Sequence, residues 1–142
     1  MDEPNAITDR QGLEILDYDE CWRLLSATPI GRIAFVEAGE PLILPVTHVV
    51  VNHTIAFLTA SGSKLGAAMM AEPVGFEVDG YDVDAQEGWS VVVRGVVEPV
   101  YEEVLLSRLD RSGHRPWARG VERPHWVQIK PSEVTGRRLA QG

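Results

Sequence analysis

A single cysteine, Cys21, stands in the whole chain, so no disulfide can close within it, and its place is expected on the apolar face of a helix. One thiol fits a reducing compartment. No run of uncharged apolar residues approaches the eighteen or so that a membrane-spanning helix needs. The first residues, MDEPNAITDRQG, carry neither a basic nor an apolar leader region, and the expected location is cytoplasmic. Basic residues are also few. Thirteen Lys and Arg face 21 Asp and Glu, a formal net charge of −8. Phosphate-backbone binding needs clustered cations. A nucleic-acid partner is therefore not expected, and any anionic ligand must be held locally.

Several catalytic inventories are missing as well. His48, His53, His114 and His125 are scattered, and no HxxxH, HExxH or CxxC spacing occurs, so no metal centre is expected. GxSxG and a Cys/His pairing signature are absent, which leaves nucleophilic hydrolysis without support. ASGSKL departs from the GxxxxGK[ST] pattern of a nucleotide-binding loop.

What is present reads as an ordinary folded chain. Hydrophobic residues make up 44% and charged residues 24% of 142 positions, close to globular averages, so disorder and fibrous structure are not expected. The length predicts one domain over residues 1–142. LDYDECWRLLSATPIGR predicts a helix with Asp17 or Asp19 as cap, stopped by Pro29 and Gly31. Three β-branched runs follow, near 32–37, 41–50 and 54–60, separated by EAGE and VNHT turns. Pro45 cannot donate to a ladder, so its strand is expected at an edge or bulge. SKLGAAMMAE predicts a short helix, PVGFEVDGY a strand, and WSVVVRGVVEPVY a long strand interrupted by Gly95. YEEVLLSRLD predicts a third helix, and HWVQIKPSEVTGRRL a last strand with Trp126 and Gln128 on one side, Val127 and Ile129 on the other. Six strands at hairpin spacing with a few short helices predict a mainly β fold, a small antiparallel barrel whose closure removes exposed edges.

The stretch FLTASGSKLGAAMM, residues 57–70, turns from strand to helix through Ser63 and Lys64. Such a junction aims backbone N–H groups and the positive end of a helix dipole at one point, where an anion is stabilised. Ser63 is equally an ordinary helix cap and Lys64 an ordinary solvated side chain. Trp89, Trp117 and Trp126 lie at strand ends or in the Arg-rich loop, as lids on the core or as walls for a planar ligand.

GRIAFV, LPVTH, FLTASGSKL, VGFEVD, GWSVVVRG, RPWARG and HWVQIKPSEVTGRRL occur in this order and spacing. Together they resemble the pyridoxamine 5'-phosphate oxidase-like, FMN-binding split β-barrel family, in particular its branch of short bacterial proteins. The resemblance covers about residues 18–139. It implies a six-stranded antiparallel split β-barrel and a homodimer with flavin sites at the subunit interface. Ser63 and Lys64 would hold the flavin phosphate, with Thr59 near the ribityl chain or the phosphate and Leu58 also against the cofactor. Pro45, Val46, Thr47 and His48 would run along the isoalloxazine ring. Trp89 and Ser90 would arrive from the second subunit, with Trp126 walling the same cavity. True oxidases of the family carry a basic pair after the phosphate-binding serine and a C-terminal segment that grips vitamin B6. Here Leu65 follows Lys64 and the sequence closes on TGRRLAQG, so vitamin B6 oxidation is not the expected reaction.

The expected function is an FMN-dependent oxidoreductase passing electrons from a reduced nicotinamide or other donor to a small molecule, by hydride transfer at flavin N5. His48 would orient or protonate the acceptor, or else make a structural hydrogen bond. One alternative is the deazaflavin F420, whose longer anionic tail would need RSGHRPWARGVER as a basic groove. The other is a non-catalytic carrier or sensor of flavin or haem.

Overall fold

A computed structural model describes residues 7–139. In chain order the elements are β1 (Glu14–Ile15), α1 (Tyr18–Ala27), β2 (Ile30–Glu37), β3 (Glu40–Thr47), β4 (Val49–Val51) and β5 (Thr54–Ala60). They continue as α2 (Lys64–Ala71), β6 (Val74–Asp82), β7 (Glu87–Pro99), α3 (Glu103–Arg111) and β8 (Pro124–Leu139). The strands form one antiparallel sheet in the order β3-β2-β6-β7-β8-β5-β4, with β1 added alongside β8. Among the described residues, no helix is long and apolar enough to cross a membrane.

The sheet has eight strands where six were expected. One addition is the two-residue β1, too short to leave a periodic signal. The other comes from the run at 41–50, which divides at His48. Thr47 is still opposite Ile30 of β2, whereas Val49 is already opposite Ala56 of β5. Between them the His48 amide leaves both ladders and donates to the Pro29 carbonyl at 3.2 Å. The two end strands of the sheet are thus joined through one residue, and the sheet must curl to bring them together. Pro45 sits opposite Arg32 in β3, an end strand, as its missing N–H requires.

Alternation builds the main core. Ile33 and Phe35 of β2, Phe76 and Val78 of β6, and Val91, Val93 and Val97 of β7 are buried, while Arg32 and Arg94 between them are exposed. Each such side chain contributes roughly 1.5–3 kcal/mol of burial. α1 joins this core: Asp17 caps it by accepting from the Glu20 amide at 2.8 Å, and Cys21, Trp22, Leu24 and Leu25 are buried on one face.

β8 is covered on both faces at its start. Val127 and Ile129 enter the main core, and Trp126 turns the other way to meet Ala56, Val100 and Leu109 beneath α3. Further along, Arg94 pairs with Glu133 but Gly95 pairs with Pro131, so Ser132 is an extra residue in β8. A Cβ on Gly95 would stand 2.2 Å from the Lys130 carbonyl oxygen, which is why the bulge needs glycine there.

Candidate functional site

β5 runs out at Ala60 into a turn in which Gly62 takes a φ of 72° and Ser63 returns to extended backbone. The Ser63 hydroxyl oxygen accepts the Gly66 amide at 2.9 Å, and the Ser63 carbonyl accepts the Ala67 amide at 3.0 Å. The amides of Lys64 and Leu65 precede the first helical acceptor and point out of the helix start. A Cβ on Gly66 would lie 2.9 Å from Ser63 Oγ and 3.6 Å from Thr59 Oγ1, so glycine lets the first turn of α2 settle against Thr59. Two free amides, two hydroxyls and a lysine therefore share one corner. Lys64 is exposed, and among the described residues no carboxylate lies within ion-pair distance of it. The cap and the anion-ready corner are the same structure.

The segment between α3 and β8, residues 112–123, lies along this corner and is tied at both ends. At one end His114 Nε2 donates to the Thr47 carbonyl at 3.1 Å and lies 3.3 Å from Thr47 Oγ1. The Thr47 hydroxyl in turn donates to the Arg115 carbonyl at 2.9 Å. At the other end the Ser61 amide donates to the Arg123 carbonyl at 3.2 Å. Burial holds the His114 imidazole below its usual pKa, consistent with a neutral ring that carries its proton on Nε2. The segment thus bridges the end of β3 and the Ser63 turn.

Trp126 stands behind it. Its indole N–H donates to Asp110 at 2.9 Å, its ring lies 5.4 Å from that of His114, and Leu58 pairs beside it across the β5–β8 ladder. Thr59 pairs with the neighbouring His125. The fold therefore gathers Thr47, Leu58, Thr59, Ser63, Lys64 and Trp126 at one end of the barrel, with Pro45 and Val46 preceding Thr47 on the sheet edge.

His48 turns away from this surface. Its ring is 7% exposed, Nε2 donates to the Leu25 carbonyl at 2.9 Å, and it meets Phe76 edge-on at 5.0 Å. Burial, the largest influence, lowers its pKa, so the neutral ring is favoured. Of the two roles expected for His48, this is the geometry of the structural hydrogen bond.

Trp89 and Ser90 lie at the far end of β7, opposite Arg138 and Arg137, whereas Thr59 faces His125 at the opposite end of β8. Within one chain they do not meet the Ser63 corner. The Trp89 indole lies flat on Gly80, where a Cβ would come within 2.7 Å of Nε1, and borders an open trough of about 620 Å³ with Tyr81, Glu87 and Arg138.

A family model described as pyridoxamine 5'-phosphate oxidase matches residues 17–138. The chain belongs to this family. Within the pyridoxamine 5'-phosphate oxidase family it is 41% identical to an FAD binding protein from Mycobacterium smegmatis. That structure superposes with a TM-score of 0.75, covering 88% of this chain and 98% of that one. An uncharacterized protein of Mycobacterium tuberculosis is 35% identical over 129 residues, 87% of this chain and 84% of the relative. A conserved protein of unknown function from Corynebacterium diphtheriae shares 28% identity at a TM-score of 0.71, covering 90% and 98% of the two chains. The fold is the split β-barrel of these relatives, as the ordered motifs implied.

The Ser63 corner has the donor chemistry of an anion site. Its donors are hydroxyl, amide and ammonium groups, and among the described residues no competing carboxylate lies within ion-pair distance of Lys64. Sequence reasoning missed His114 and Asp110, which fix Thr47 and Trp126. Neither carries a periodic signal, since each acts on a partner far away in the chain.

Proposed function

We propose that this chain is a flavoprotein in which the FMN portion of the cofactor sits with its phosphate on the Ser63–Lys64 turn. The observation that carries this reading is Lys64, without an ion-pair partner among the described residues, beside a free helix start in a chain of net charge −8. An anion is stabilised there by about 0.3–1 kcal/mol from the helix dipole alone, before the lysine is counted. The FAD binding relative at 41% identity supports a flavin as the ligand.

The reading includes a homodimer with two sites. The outward face of β2, β3 and β7 exposes Ile30, Val36, Ile43, Val92 and Val96 around the Arg32–Glu77–Asp79 ion cluster, a mixed surface that a second copy would cover. Trp89 and Ser90, stranded far from the Ser63 corner of their own chain, would complete the corner of the partner. Pro45 and Val46 would present the free edge of β3 to the ring, and Leu58, Thr59 and Trp126 would back it. His48 would act as a positioning residue, fixing Leu25 and the end of β3 beneath Thr47.

A bound flavin supplies hydride transfer at N5, and the activity proposed is oxidoreduction of a small molecule with a reduced nicotinamide as donor. The chain's own part is to bind, orient and limit access. The experiment is anaerobic addition of NADH or NADPH to the FMN-loaded protein. Bleaching of the visible flavin absorbance, restored by an acceptor, supports the oxidoreductase. Binding without reduction by any donor would leave a flavin carrier. Failure to bind FMN or a larger flavin would remove the reading.

A further inference from the structure

We propose that the outer face of β2, β6 and β7 is a proton-dependent interface between two copies of this chain, each copy holding one proton on its Glu77–Asp79 pair. This rests on the homodimer of the proposed function and adds what controls it. The register is the first reason. Arg32 of β2, Glu77 of β6 and Val92 of β7 stand in one row across the sheet, facing away from the core. Ile43, Ala34 and Gly75 form the next row. Together with Asp79 these residues border a cleft of about 330 Å³. Its surroundings are apolar: Ile43 is 64% exposed, and Val92 and Val96 are exposed on the same face. A layer laid over this face takes water from the ions as well as from the valines.

Charge is the second reason. One guanidinium serves two carboxylates, since Arg32 Nη1 lies 3.4 Å from Glu77 and 3.2 Å from Asp79. With both acids ionised the cluster carries one negative charge in excess, and its neighbours do not remove it. On β7, Arg94 stands opposite Gly75 on one side and Glu133 of β8 on the other, so these two charges balance. Arg137 of β8, in line with Asp79 and Ser90, is held by Asp9 at 3.0 Å. β3 contributes Pro45 opposite Arg32 and Ile43 opposite Ala34, neither of them titratable. In the uncovered chain, burial and then Asp79 already raise the Glu77 carboxyl to about 7.

Symmetry is the third reason. A twofold interface uses the same patch on both copies, so the cluster meets a second cluster. A face with a cation and an acid pair is self-complementary, because the guanidinium of one copy suits the carboxylates of the other. Two guanidiniums still cannot neutralise four carboxylates, and an unpaired charge deprived of water is costly. Protonating one carboxyl on each copy removes the excess and supplies an O–H donor to the other carboxylate. Covering the face therefore raises the Glu77 carboxyl further, and association takes up protons. By linkage the dimer is strongest below about pH 7 and weakens as pH rises above it.

The test is the dimer dissociation constant of the full chain from about pH 6 to about pH 8.5, by sedimentation and by dilution of fluorescently labelled protein at fixed ionic strength. Where dilution does not separate the copies, the exchange rate of labelled subunits takes its place. The wild type is expected to dissociate at least tenfold more readily at the alkaline end. Glu77→Gln should remain dimeric at both ends, with a pH effect under about threefold, because it lacks the excess charge at any pH. Asp79→Asn, which removes the other carboxylate, should do the same, and thermal melts confirm that each variant folds. Ile43→Asp should give a folded monomer at every pH. A wild-type dimer that Ile43→Asp disrupts but that is indifferent to pH would overturn the proton dependence and leave the dimer in place. So would a pH effect of the same size in Glu77→Gln and Asp79→Asn. A dimer untouched by Ile43→Asp would overturn this face as the interface. A wild type that is monomeric throughout would overturn the interface and the homodimer together.

Discussion

The hydroxyl oxygen of Ser63 accepts the amide hydrogen of Gly66 at 2.9 Å, leaving the hydroxyl's own proton free to point away from α2. One side chain thereby closes the helix and offers a donor to a ligand. Ser63→Ala removes both. It should lower stability by about 1 kcal/mol, the usual worth of such a cap. Lys64→Ala removes an exposed cation with no ion-pair partner among the described residues and should stay within about 0.5 kcal/mol of the wild type. Urea unfolding of the ligand-free variants reads the difference.

His48 is held by Leu25 and Phe76, and its removal should be felt in folding. His48→Ala leaves the Leu25 carbonyl without its partner and opens space in the core, a loss of about 3 kcal/mol at neutral pH. Because burial lowers its pKa, His48 contributes stability above the usual histidine value of 6.5, and that contribution is lost as pH falls through the lowered value. The gap between wild type and variant should therefore shrink below about pH 6. A gap that widened in acid would mean that the ring is charged in the folded state.

Glu77 sits on the outer face of the sheet beside Asp79, with Arg32 reaching both at 3.4 and 3.2 Å. Burial first, and then Asp79, raise its carboxyl from 4.5 to about 7. A raised carboxyl favours the folded state when protonated. That stabilisation is complete below the unfolded value and lost as pH rises through the folded one. Relative to Glu77→Gln, the wild type should lose stability between about pH 4.5 and 7. Melting curves of both proteins across that range check the slope, and parallel curves would contradict it.

Asp110 gives the buried Trp126 indole its acceptor, and the same tryptophan packs under Leu109 of α3. Asp110→Ala should cost about 1–3 kcal/mol, because a buried N–H is left unpaired. Hydrogen exchange should show α3 opening more readily, with β6 and β7 unaffected.

Much of the barrel was legible because its signal is local. Ile33 and Phe35 alternate with Arg32 and Ala34, Ser63 precedes a helical run, and Pro73 ends it. The division at His48 was not legible, since Val46 through Val51 read as one β-branched run and nothing local shows that the partner strand changes. The Ser63–Lys64 corner was readable from residue type at a strand-to-helix junction. The burial of His48 was not, because a histidine in an apolar stretch has the same letters whether it faces a ligand or a carbonyl. Trp126 illustrates a similar limit. Strand periodicity separated it from Val127, but only the packing of α3 shows that the face it occupies is also covered.

The most direct measurement is titration of the flavin-free protein with FMN, compared among wild type, Ser63→Ala and Lys64→Ala. The account predicts saturable binding by the wild type, with at least a tenfold loss in Lys64→Ala despite unchanged folding, and a loss in Ser63→Ala as well. Undiminished FMN binding in a folded Lys64→Ala protein would contradict the placement of the phosphate at the start of α2.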